Sequence, residues 1–123
     1  MPGPGPRAQR RTPTISGTGS ASGNPGKETK STIDSVSDYT IDPIPESRGR
    51  VRMCRIGPTL RTYHAPYDGG PWQLHRTFDR PDLPADVQVG VTATENADPA
   101  DIIATFDWVR FRTPTSESDC TAL

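Results

Sequence analysis

With 123 residues, 31% of them hydrophobic, and 11 glycines and 14 prolines, the chain holds one domain at most. That apolar share falls well under the roughly 45–50% (Gly included) of ordinary globular chains, so part of it cannot pack. A formal net charge of −1 gives no global field to recruit nucleic acid, and no run of roughly 18 apolar residues exists to span a bilayer.

In chain order, residues 1–31 read as a low-complexity leader: Pro-Gly repeats from Pro2 to Pro6, the pair Arg10-Arg11, then a Ser/Gly/Thr stretch over 16–23. So little apolar surface cannot offset ~1–2 kcal/mol per residue of backbone ordering entropy, which predicts disorder. The N-terminal residues also lack the apolar stretch of a secretory signal. Either the chain is cytosolic or its true start lies elsewhere. Residues 32–113 read as the folded part, beginning with a mixed stretch over 32–41 that suits an edge strand, followed by a loop with Pro43 and Pro45.

From Arg50 the pattern sharpens. Arg50–Ile56 reads as a strand, Gly57-Pro58 as a hairpin tip and residues 59–64 as the returning strand. A turn at Asp68-Gly69-Gly70-Pro71 leads to a third strand over 72–78, completing a meander. Residues 79–86 are a proline-rich crossing whose single apolar anchor is Leu83. The strongest pattern comes last. Val87, Val89, Val91 and Ala93 alternate with Gln88, Gly90, Thr92 and Thr94, and Phe106 and Trp108 share a strand with Val109 and Phe111, apolar on both faces. These two runs are the expected sheet core. Residues 114–123 read as a flexible tail, and no apolar period of 3.6 persists to predict a helix.

The expected fold is therefore all-β, an antiparallel β-sandwich or jelly roll that is partial, because five or six strands fall short of the seven or more that close two sheets. Such a half-sandwich exposes edges, as a truncated piece or a module needing a partner chain does. Cys54 sits in an alternating run and reads as a buried structural thiol; Cys120 lies in the polar tail, and a bridge between them is not expected.

The series Arg52-Met53-Cys54-Arg55-Ile56-Gly57, Tyr63, Gly70-Pro71-Trp72-Gln73-Leu74, Arg80-Pro81-Asp82-Leu83-Pro84, Val87-Gln88-Val89-Gly90-Val91 and Phe106-Asp107-Trp108-Val109-Arg110-Phe111 resembles the C-terminal half of concanavalin A-like (laminin G-like) jelly rolls of bacterial secreted and multidomain proteins. The resemblance covers about residues 48–113. It implies an extracellular or cell-envelope setting and a carbohydrate-binding or protein-interaction role. The half that would supply the remaining strands is replaced by the leader, and the paired carboxylates of the superfamily's glycosidases are missing.

Tyr63, Trp72 and Trp108 are the candidate ligand-binding residues, since aromatic faces suit the apolar faces of sugar rings, although core packing uses the same residues. His64 and His75 lie on different strands, not at a metal-ligand spacing with Cys54. Asn96, Asp98 and Asp101 could offer oxygen ligands to calcium, but without EF-hand spacing, so no metal or cofactor is assigned. Asp107, mid-strand between aromatics, calls for a partner, Arg55 or Arg110. No Gly-x-Ser-x-Gly elbow or phosphate-cradling loop is present. The sequence thus predicts a non-catalytic β-sandwich module for carbohydrate binding or protein interaction, with a remnant of a glycoside hydrolase or lyase, its catalytic half missing, as the alternative.

Overall fold

The computed structural model describes residues 15–21, 24–93 and 103–122. The fold is all-β, a partial sandwich of two three-stranded antiparallel sheets. The first sheet contains β1 (Ile15–Ala21), β2 (Asn24–Ile33) and β3 (Val36–Pro43); the second contains β4 (Arg50–Ile56), β5 (Thr59–Ala65) and β6 (Gln73–Asp79). Both are meanders with strands in sequence order. One helical turn, α1 (Asp119–Ala122), follows. No helix among the described residues is long and apolar enough to cross a membrane.

The second sheet is the meander expected from the alternating run after Arg50. Ile56 pairs with Thr59 across a two-residue turn. Gly57 has a φ of 58° there and Pro58 follows with its ring-fixed φ, as a type II′ turn, with Gly first, requires. In the first sheet the equivalent tip is Asp34-Ser35, with φ of 50° and 67°. Both central residues are left-handed, as in a type I′ turn, but neither is glycine. The expected edge strand over 32–41 is thus a hairpin end, its first residues closing β2 and the rest forming edge strand β3.

The two sheets stack with β1 against β4 and β2 against β6. The seam between them is polar. Thr29, Ser31, Thr62, His64 and Arg80 are all buried, and Thr29 Oγ1 lies 2.8 Å from Thr62 Oγ1 across the seam. Arg76 of β6 donates to Thr40 Oγ1 and, at 2.9 Å, to Asp38 Oδ2, both on β3. Arg80 is 2% exposed, grips Asp82 through two bonds of 2.8 Å and donates a third to Ser31 Oγ of β2. A bidentate pair of this kind satisfies the charge that burial would otherwise leave costly.

Four sequence expectations change. Of the leader, residues 1–14, 22 and 23 lie outside the described residues, but 15–21 and 24–31 are paired in β1 and β2. The boundary moves toward the N-terminus because β2 buries the hydroxyl side chains of Thr29, Ser31 and Thr32 rather than apolar ones. The crossing over 79–86 is held by Arg80 and by Arg55, which donates to the carbonyls of Leu83 and Pro84, not by Leu83 alone. The two runs expected as sheet core, over 87–94 and 102–111, are in no strand where described: 87–93 and 103–112 have no regular secondary structure, while residues 94–102 lie outside the described residues. The seam is lined by the hydrogen-bonded polar residues Thr29, Ser31, Thr62 and Arg80, so it offers no apolar face for them to cover.

The fourth change concerns the tail. Cys54 and Cys120 form a disulfide, with Cα atoms 5.7 Å apart and a sequence separation of 66. Cys120 is 1% exposed and clusters with Cys54 and Tyr63, against which Ile56 and Trp72 pack. Asp119 fixes the turn by accepting from the backbone N–H groups of Thr115 and Ser116, bonds that hold its carboxyl below the usual carboxylate range. The residues expected to be frayed are therefore the lid of the molecule's main apolar cluster, on the face of the second sheet turned away from the first.

Candidate functional site

Two of the three candidate aromatics meet. Arg52 pairs with Tyr63, and Cys54 with Arg61, so these side chains share the outer face of the second sheet. There Tyr63 and Trp72 line an open groove of about 450 Å³ with Leu74, Glu117, Ser118 and Thr121. Yet neither ring is free to stack. Tyr63 is 4% exposed behind the disulfide, and burial pushes its phenol pKa up. Trp72 carries the guanidinium groups of Arg50 and Arg52, 4.9 and 4.1 Å from its ring centroid. Backbone acceptors hold both arginines: Arg50 donates to the carbonyls of Pro66 and Gly70, and Arg52 to that of Cys120 at 2.8 Å.

Trp108 does not line that groove. It lies in the segment 103–112, half exposed, with Arg110 5.0 Å from its ring centroid. Asp107 in the same segment is exposed and accepts from the Tyr67 hydroxyl at 2.5 Å. This bond raises the Tyr67 pKa. The expected pairing with Arg55 or Arg110 does not form, because Arg55 donates instead to the carbonyls of Gly57, Leu83 and Pro84.

The two histidines occupy the seam. His75 Nε2 is 2.8 Å from Asp42 Oδ2 and its Nδ1 is 2.6 Å from Thr29 Oγ1. A bulge aims the ring: Arg76 pairs with Thr62 and Leu74 with Tyr63, leaving His75 as the extra residue of β6. Carboxylate, imidazole and hydroxyl in a row is the order of a nucleophile relay. Here the hydroxyl is sealed, since Thr29 is 0% exposed and also bonded to Thr62, whose oxygen accepts from the Arg76 amide at 3.2 Å. The array is a latch joining three strands of two sheets. His64, two residues beyond Thr62 on the same face, buries an Nε2 that has no hydrogen-bond partner among the described residues. Burial first, then the charges of Lys27, His75 and Arg50, lower its pKa.

Among the described residues no group of three or more His, Cys, Asp or Glu is placed to hold a metal; the loop with Asn96, Asp98 and Asp101 lies outside them. What the molecule does present is apolar surface. Val87, Val89 and Val91 are 41%, 63% and 55% exposed, and Phe106, Val109 and Phe111 are also exposed.

No family model matches the chain. No curated protein and no solved structure matches it either. Its function must therefore be argued from this geometry. The latch residues Thr29, Asp42 and His75 were missed by pattern reading because they are separated widely in sequence and Thr29 fell inside the expected leader. The alternation of Lys27, Thr29 and Ser31 in β2 was a usable signal, since Thr favours strands.

Proposed function

We propose that this chain is a non-catalytic β-sandwich module that binds a protein partner through the strand-patterned residues of 87–93 and 103–111. One observation carries the proposal: apolar residues alternating with strand periodicity lie outside both sheets and exposed. A segment with strand periodicity and no strand partner can bind by adding to a partner's sheet, with main-chain bonds giving affinity and alternate side chains giving specificity. Exposed aromatics such as Phe106 and Trp108 are suited to anchor such a contact. The resemblance of the ordered motifs over 48–113 to concanavalin A-like jelly rolls favours a binding module of that type. The Cys54–Cys120 bridge supports an extracellular or cell-envelope setting, where disulfides persist.

A carbohydrate reading has one observation in its favour, the groove beside Tyr63 and Trp72. The two guanidinium groups already stacked on Trp72 weigh against it. Parallel selections decide between the two. The immobilised oxidised chain, offered a displayed library of extended peptides, should enrich sequences with alternating apolar residues, and Trp108→Asp should abolish the enrichment. Retention on a glycan array that disappears in Trp72→Ala would favour the sugar. Failure to enrich any peptide would sink the protein-binding proposal.

A further inference from the structure

We infer that residues 87–93 join two copies of this chain, as an antiparallel strand pair about a two-fold axis at Gly90. The inference rests on the protein-binding reading above and names the partner. Val87-Gln88-Val89-Gly90-Val91-Thr92-Ala93 carries no charge and is chemically self-complementary. Paired antiparallel about Gly90, it sets Val89 against Val91, Val87 against Ala93 and Gln88 against Thr92, with no like charges apposed. Such a contact is isologous, the same patch on both copies, and closes at two chains.

Access and competition point the same way. A Cβ built on Gly90 would meet nothing within 4 Å, so the face of the segment opposite its valines is open at the midpoint and leaves room for a cross-linking cysteine. The molecule's own strands are poor alternatives. β3 carries Asp38 and Asp42, β4 carries Arg50, Arg52 and Arg55, and β6 carries Arg76 and Asp79, charges of the kind that discourage edge pairing. β1, which carries none, lies against β4. The uncharged segment therefore finds its best chemical match in itself.

Light scattering of the oxidised full chain over a concentration series should show its mass rising from one chain to two and stopping there. Val89→Lys should raise the dimer dissociation constant about tenfold or more, roughly 1.4 kcal/mol, while Val36→Lys, at a site 74% exposed on β3, should leave it unchanged. Because Val89 lies in no strand of the single chain, the variant's β-sheet circular dichroism should match the wild type at concentrations where both are monomeric. A second measurement fixes the axis. Two antiparallel residues directly opposite have Cα atoms roughly 4.5–5.5 Å apart, within disulfide range, so Gly90→Cys should cross-link to a dimer under mild oxidation far faster than Gln88→Cys. A monomer at every concentration, a ladder of higher masses, a dimer indifferent to Val89→Lys, or equal cross-linking of both cysteine variants would overturn the inference. The peptide selection would still stand or fall separately.

Discussion

His64 is the residue at which this molecule meets pH most directly. Its imidazole is 8% exposed, with a buried nitrogen that has no described partner. Around it lie the charges of Lys27, Arg50 and His75, the last hydrogen-bonded in turn to Asp42. A proton added to this ring gains no acceptor and joins like charge, so the folded pKa lies below the unfolded value of about 6.5. The unfolded chain then binds more protons, and stability rises with pH through this window. Acidification below about 6.5 removes stability, down to the depressed folded value. Guanidinium unfolding of wild type and His64→Gln at about pH 7.5 and about pH 5 checks this, against the unfolded reference above. The variant should lose less stability between the two conditions, and equal losses would refute the assignment.

At the scale of elements, the two hairpin tips make a natural comparison. Gly57 supplies the left-handed residue of its turn at little cost, whereas Asp34 and Ser35 hold that conformation with a Cβ. Ser35→Gly should therefore stabilise the protein by about 1 kcal/mol, read as a rise in the denaturant midpoint at unchanged slope. No change would show that the turn is relaxed as it stands. The same contrast explains what the sequence made legible. Gly57-Pro58 and the alternation from Arg50 announce β4, β5 and their turn, because the periodic face and the turn chemistry are both local. β2 escaped because its buried positions include Thr29 and Ser31, whose role depends on hydroxyl partners such as Thr62 and Arg80 far along the chain. The runs at 87–93 and 103–111 misled for the opposite reason. Their period is a strand's, but period says nothing about whether a sheet has an apolar face left to receive them. At the candidate site, Tyr63 and Trp72 were legible as aromatics on one face; the arginines stacked on Trp72 were not.

Across the whole molecule, the Cys54–Cys120 bridge ties the second sheet to the C-terminal turn. Closing a loop of that length removes about 4 kcal/mol of unfolded-chain entropy in the simplest model. Cys120→Ser should thus lower the unfolding free energy by about 2–4 kcal/mol in urea titrations. Reducing the wild type should reproduce the drop, and reductant should leave the variant unaffected. A variant as stable as the oxidised wild type would mean that the apolar cluster holds the turn unaided.

The latch of Thr29, His75 and Asp42, with Thr62 bonded to it, carries a thermal consequence. Exposing apolar groups to water raises the heat capacity on unfolding, and exposing polar groups lowers it. Where hydroxyl, imidazole and carboxylate line the contact between layers while valines and aromatics already face solvent, the heat-capacity increment per residue falls below the usual ~12–15 cal/mol/K. The stability curve of this protein is accordingly expected to be flatter than that of a domain with an apolar core, losing less on cooling.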